Sequence, residues 1–376
     1  MLLLSGPNLS GNEWKYVKDC LDSGWVSSVG SYVGAFEEAV AHQAGCRFGV
    51  ATVSGTAALH LALLLAGVQR GDYVILPNIT FVASANSMRY LGADPLLVDV
   101  DEKTWQMDLD LLEEYLAEAC ELRSAGLYHK ADGRRISAVM PVHVLGQMGD
   151  MPRLCRLAEA YGLKVVEDAT EAMGSFFAGR HSGSYGLMGC FSFNGNKIVT
   201  CGGGGVLVTD DEGLARRAKH LTTQAKADPQ RYFHDEVGFN YRLVNVSAAI
   251  GLAQMEQLEG FVERKRQIAT EYMKALEGVG DIGFQQVVEG SQPNWWLFTV
   301  ATRRQEVLLS ALRAVEIQAR PLWVPMNRLP MYANSPYVQR NDRSAFVHAR
   351  CLSLPCSTDL SASDLLRVVE VIRKAY

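Results

Sequence analysis

From residue 48 to residue 209, short apolar runs alternate with helix-forming stretches. The runs over 48–53, 73–76, 96–100, 136–142, 163–166, 190–193 and 206–209 have the length of buried strands. Helices are predicted over 57–66, 84–91, 109–125 and 152–161. Strands and helices in this alternation bury their apolar faces as a mostly parallel sheet with helices on both sides, an α/β fold. Ligands of such sheets sit beyond the carboxyl ends of the strands. Thr56, Phe81, His143, Asp168 and Lys197 all fall just past predicted strand ends, so one rim collects the candidate chemistry.

The densest part of that rim is 165–206. One strand ends on Glu167 and Asp168, and the next is followed by Lys197, alone among uncharged residues. A buried carboxylate needs a cationic partner. A lysine in an apolar cleft loses its proton more readily and becomes a nucleophile. The two suit pyridoxal 5'-phosphate (PLP): the lysine takes its aldehyde, and the acid keeps its ring nitrogen protonated so that the ring accepts electrons. Either residue alone reads as an ordinary structural acid or a solvated lysine. Ser54-Gly55-Thr56-Ala57-Ala58 forms a strand–turn–helix junction whose free N–H groups suit a phosphate, although an ordinary helix cap has the same letters. The glycine run 202–205 leads into a strand and opens no helix, which argues against a dinucleotide fingerprint.

With 376 residues the chain is long enough for two domains. The large domain is placed at 1–245. A long helix over 247–277 then links it to a small α/β domain, which with that helix makes up 246–376. Net charge is −5 with no basic cluster, which sets nucleic acid aside as a partner. The start MLLLSGPN lacks the charge and length of a signal peptide, and no later stretch reads as a membrane span. Eight dispersed cysteines without C-x-x-C spacing read as reduced thiols of a cytoplasmic protein. The scattered histidines show no metal-ligand spacing.

S-G-T-A-A at 54–58, P-N-I-T-F at 77–81, P-V-H-V-L-G-Q at 141–147, V-E-D-A at 166–169 and F-S-F-x-x-x-K at 191–197 occur in that order. In this combination the chain resembles the DegT/DnrJ/EryC1/StrS sugar aminotransferases, which are fold-type I PLP-dependent transferases acting on keto sugar nucleotides. The resemblance implies that Lys197 is the Schiff-base lysine and proton carrier and that Asp168 pairs with the pyridine nitrogen. It places Phe81 against the ring, and Gly55, Thr56 and Ser192 at the phosphate. On the same resemblance Asn240, in the segment G-F-N-Y-R, would reach the phosphate of a neighbouring subunit, which implies a homodimer with shared sites.

Three positions depart from the family pattern. Glu171 stands where Gln or His is usual near the phenolic oxygen of PLP, Leu145 stands where Tyr is frequent, and the glycine run lacks the usual glutamate. The N-terminal run, with Trp25, Val26 and Ser27, and the segment R-P-L-W-V-P-M, with Arg320 and Trp323, resemble the branch that acts on UDP-linked 2-acetamido-4-keto-6-deoxy sugars. On that resemblance Trp25, Val26, Ser27 and His143 contact the sugar, Arg320 and Trp323 lie near the nucleotide, and L-glutamate is the amino donor. For Trp323, packing between domains is an equal reading. Two rivals remain: a PLP-dependent sugar dehydratase, which carries His in place of the lysine, and a non-catalytic sugar-nucleotide-binding relative.

Overall fold

The computed structural model describes residues 1–376. Its main element is a ten-stranded sheet. From one edge the strands run Phe48–Thr52, Gly205–Thr209, Met188–Ser192, Lys164–Asp168, Arg135–Val139, Tyr73–Pro77 and Asp94–Val98. Five of these, from Met188–Ser192 through Asp94–Val98, are mutually parallel, while Gly205–Thr209 is antiparallel to both neighbours. The mostly parallel α/β sheet is therefore as the sequence pattern dictates.

Strand alternation decides which side chain goes to which face. Val50, Leu207 and Cys190 join one apolar cluster, with Leu59, Leu61 and Leu63 of helix Gly55–Leu65 and Ala218 and Leu221 of helix Glu212–Thr222. Their strand neighbours Ala51, Val206, Val208 and Phe191 join a second cluster, with Phe36 and Val40 of helix Ser31–Ala44. Further along the sheet, Ile75, Val98 and Val165 meet Leu112 and Leu154 in a third cluster. Helices thus cover both faces of the sheet.

Beyond the large sheet, Gly283–Phe284, Phe298–Ala301, Cys351–Leu354 and Arg320–Pro321 form a four-stranded antiparallel sheet. Its residues Phe298, Val300 and Leu352 belong to the same cluster as Leu59 and Leu207, so an unbroken core runs between the two sheets. Two segments link them. Leu2 bridges to Ile317, and Tyr337–Val338 pairs with the large-sheet strand at Leu97 and Val98.

Three local expectations change. The helix predicted over 109–125 stops at Ala119 and gives way to a hairpin, Cys120–Arg123 with Gly126–His129. The turn uses Gly126 at φ 131°, a region that favours glycine. The helix predicted over 247–277 is two helices, Asn245–Met255 and Leu258–Leu276. The aromatic run 295–301 reads from its sequence as a strand, but the strand begins only at Phe298, because Trp295 takes a left-handed turn at φ 53°. No helix is long and apolar enough to cross a membrane.

Candidate active site

The carboxyl ends of the strands open on a cleft of about 370 Å³ between the two sheets. Its floor comes from four adjacent strands. Gly205 pairs with Thr52 on one side and with Ser192 on the other, and Cys190 pairs with Asp168. The register therefore sets the Ser54–Gly55 turn, Ser192 and Asp168 side by side at one rim.

Helix Gly55–Leu65 begins at this rim. Ser54 caps it by accepting the Ala57 N–H at 3.1 Å. The N–H groups of Gly55 and Thr56 then have no intrahelical acceptor and mark the positive end of the helix dipole. A side chain at Gly55 would displace its neighbours, since a Cβ there would lie 2.7 Å from Ser192 Cβ and 3.2 Å from Thr170 Cγ2. The cradle is shaped for an anion approached by backbone, with hydroxyls from Thr56 and Ser192 on its lining.

Asp168 is 3 % exposed. The hydroxyl of Ser84 donates to its Oδ2 at 2.6 Å, and the Thr170 N–H donates to its Oδ1 at 3.2 Å. Ser84 lies in the short helix Ala83–Arg89, just after the P-N-I-T-F segment that carries Phe81. Phe81 itself is 53 % exposed on the cleft wall.

Lys197 sits in the loop after Ser192, its side chain 12 % exposed. Its Nζ is 3.9 Å from Glu171 Oε1 and 3.9 Å from the centre of the Trp296 ring. Burial pulls the lysine below its ordinary pKa, and the negative charges of Glu171 and Asp168 partly offset that pull. Burial also lifts Glu171 to about 7, against the opposing effects of Lys197 and of the Leu145 N–H, which donates to its Oε2 at 2.8 Å. A buried amine and a buried carboxyl at this spacing can hold one proton between them.

Among the residues named from sequence, Gly55, Thr56, Phe81, Asp168, Glu171, Ser192, Lys197, Arg320 and Trp323 line this one cleft. His143 does not. Its Nε2 lies 3.0 Å from Glu167 Oε2, both side chains fully buried away from the cleft. Glu167 also accepts the N–H groups of Gly183, Tyr185 and Gly186 at 2.9, 2.6 and 2.7 Å. The expectation of a sugar-contacting histidine gives way to a structural pair, because Glu167 and Asp168 are strand neighbours and point to opposite faces. Trp25, Val26, Ser27 and Asn240 are exposed and do not reach the cleft of their own chain.

Ser84, Thr170 and Trp296 carry site geometry that the sequence reading did not single out. Ser84 follows Phe81 by one helical turn, the spacing that puts it on the same side. Trp296 offers no comparable signal, since its loop comes from the other sheet.

A family model described as the DegT/DnrJ/EryC1/StrS aminotransferase family matches residues 7–373. The chain is 37 % identical over 376 residues to the GDP-perosamine synthase of Escherichia coli O157:H7, covering 98 % of this chain and 97 % of that one. It is 36 % identical over 377 residues to the putative pyridoxal phosphate-dependent aminotransferase EpsN of Bacillus subtilis (strain 168), covering 99 % and 95 %. Among solved structures, a DegT DnrJ EryC1 StrS aminotransferase from Brucella abortus superposes with a TM-score of 0.89 at 27 % identity, over 96 % of this chain and 95 % of that one.

Proposed function

The chain belongs to the DegT/DnrJ/EryC1/StrS aminotransferase family, a PLP-dependent fold-type I family of sugar-nucleotide aminotransferases, and from that premise we propose that it moves the amino group of L-glutamate to the keto carbon of a UDP-linked 2-acetamido-4-keto-6-deoxyhexose. The observation that carries the catalytic part of this reading is the convergence of Lys197, Asp168 and the Gly55 cradle on one cleft.

The residues present fit PLP. An anion cradle at a helix start, a buried carboxylate and a buried amine are the three polar needs of that molecule, and Phe81 adds an aromatic wall. When bound, PLP supplies an aldehyde that condenses with amines and a ring that accepts electrons from the carbon being deprotonated. Gly55, Thr56 and Ser192 hold the phosphate. Asp168, oriented by Ser84, keeps negative charge at the ring nitrogen. Lys197 supplies the amine and moves the proton at the reacting carbon, a task that its lowered pKa suits. Arg320 and Trp323, at the small-sheet side of the cleft, bind the nucleotide part of the substrate.

The active unit is a homodimer. Trp14, Trp25 and Val29 are 77 %, 56 % and 66 % exposed, large apolar groups that a second copy would cover. Asn240 and the 25–27 run then complete the neighbour's cleft rather than their own. Eight unpaired cysteines suit a reducing compartment, the cytoplasm.

A second reading of the substrate has its own support: relatives at 37 % and 34 % identity are named GDP-perosamine synthase, which favours a GDP-linked sugar. The test is to supply PLP, L-glutamate and either the UDP-linked acetamido keto sugar or its GDP-linked counterpart, and to measure 2-oxoglutarate released beyond the one equivalent per site that L-glutamate gives without a sugar. Release with the UDP sugar supports the first reading, and release only with the GDP sugar transfers the proposal to the second. Release with neither would sink both.

A further inference from the structure

We propose that Trp296 and Glu171 form a resting site for the side-chain amine of Lys197, holding it between an aromatic face and a carboxyl while it is not bonded to cofactor. This rests on the reading of Lys197 as the cofactor-bonding lysine. A lysine that is released and recaptured in every cycle has four flexible methylenes and no inherent reason to stay at the reaction centre. Left unrestrained, it must give up its rotamer freedom again each time it is reordered.

The two walls of this site are built with separate supports. The Trp296 ring lies under the amine at 3.9 Å, and an indole face is the most favourable aromatic partner for a cation. Its Nε1–H donates to the carbonyl of Asn196 at 2.7 Å, so the ring is tied to the residue next to the lysine. Trp323 lies near-parallel to it, with ring centres 6.4 Å apart and planes 14° apart. On the other side Glu171 Oε1 is 3.9 Å from the amine, while its Oε2 is occupied by the Leu145 N–H. One carboxyl oxygen is thus left for the lysine.

A single residue fixes both walls. Asn294 is fully buried. Its Oδ1 accepts the Trp296 N–H at 2.8 Å, and its Nδ2 donates to the Glu171 carbonyl at 2.9 Å and to the Met173 carbonyl at 2.8 Å. Trp296 belongs to the chain beside the small sheet and Glu171 to the rim of the large one, so the resting site closes only when the two are docked. At 3.9 Å the carboxyl attracts the amine without a full hydrogen bond, and the amine remains free to leave.

The ionisable groups acting on the amine are Glu171 and Asp168. Both favour its protonated form, as does the indole face, while burial opposes them. Glu171→Gln removes a favouring charge, and Trp296→Leu removes the aromatic face while its apolar side chain keeps the amine covered, so each should let Lys197 lose its proton at a lower pH. The full-length chain, cofactor-free and again saturated with pyridoxamine 5'-phosphate, is treated with cyanate across a pH series, and carbamylation of Lys197 is followed by mass spectrometry. Cyanate reacts with the neutral amine, so the midpoint reports its protonation.

Glu171→Gln and Trp296→Leu should each lower the midpoint by about one pH unit, a roughly tenfold rise in neutral amine at a given pH. Trp296→Phe, which keeps an aromatic face, should restore most of the shift. A midpoint unmoved in Glu171→Gln, or a Phe variant no different from the Leu variant, overturns the proposal. Should the glutamine variant fail to fold, the Leu and Phe pair decides alone. Failure of the cofactor reading is separately visible: the wild-type chain would show no change in visible absorption on adding PLP, while the cyanate midpoint would still be read.

Discussion

The hydroxyl of Ser84 donates a 2.6 Å hydrogen bond to Oδ2 of Asp168, across a separation of 84 residues in the chain. Thr80 Oγ1 lies 2.8 Å from the same hydroxyl, and the Thr170 N–H takes the other carboxylate oxygen at 3.2 Å. The carboxylate therefore has one orientation in the rim. A hydrogen bond to a charged group is worth about 1.5–3 kcal/mol. Ser84→Ala should lower kcat/KM roughly ten- to a hundredfold and weaken PLP binding, with the fold kept. Steady-state kinetics and a PLP titration check this, and unchanged values would mean that Asp168 needs no outside orientation.

Gly55→Ala should lose PLP before it loses structure. The added methyl would sit 2.7 Å from Ser192 Cβ, in the cradle itself. Overpacking of this kind costs about 1–3 kcal/mol, and here the strain falls on the helix start that presents the N–H groups. The expected outcome is a PLP dissociation constant raised at least about tenfold, with the cofactor-free chain still folded and its melting temperature lowered by a few degrees. Normal PLP binding would place the phosphate elsewhere.

Glu167 and Asp168 should separate cleanly by mutation. Glu167→Ala strips the buried partner of His143 and leaves three backbone N–H groups without an acceptor. Removing one partner of such a buried pair costs about 3–5 kcal/mol, to be read from denaturant unfolding. Asp168→Asn should leave stability near wild type and suppress turnover by orders of magnitude. The reverse pattern would show that the wrong acid has been assigned to the cofactor.

Lys197→Ala should abolish both turnover and the visible absorption that PLP acquires on binding to the wild-type chain. Asn240→Ala should weaken PLP binding with Lys197 intact. At a PLP concentration too low to load the Asn240→Ala variant, mixing the two variants under conditions that exchange subunits should restore activity, because a hybrid dimer has one site with both residues intact. Absence of restoration, with exchange verified by mass, would argue that Asn240 does not serve a neighbour's cleft.

The sequence by itself determined the α/β class, the rim and most of the candidate cofactor contacts. These are local properties: strand length and alternation fix which residues fall at strand ends, and the Ser54 cap is written within four residues. It also carried the family motifs, since they lie in continuous segments that do not depend on how the segments pack. The V-E-D-A resemblance named Asp168, but strand pattern alone did not determine why that acid and not its neighbour faces the cleft. Glu167 and Asp168 differ by one position, and a single step along a strand reverses the face; only the packing of Gly183–Gly186 against that strand decides it. Nor did it show Ser84 holding Asp168, the burial of His143, or Trp296 beneath Lys197, each of which joins segments far apart in the chain. Those contacts exist because the strand register and the docking of the small sheet bring their carriers together, and neither is encoded in any one window of residues.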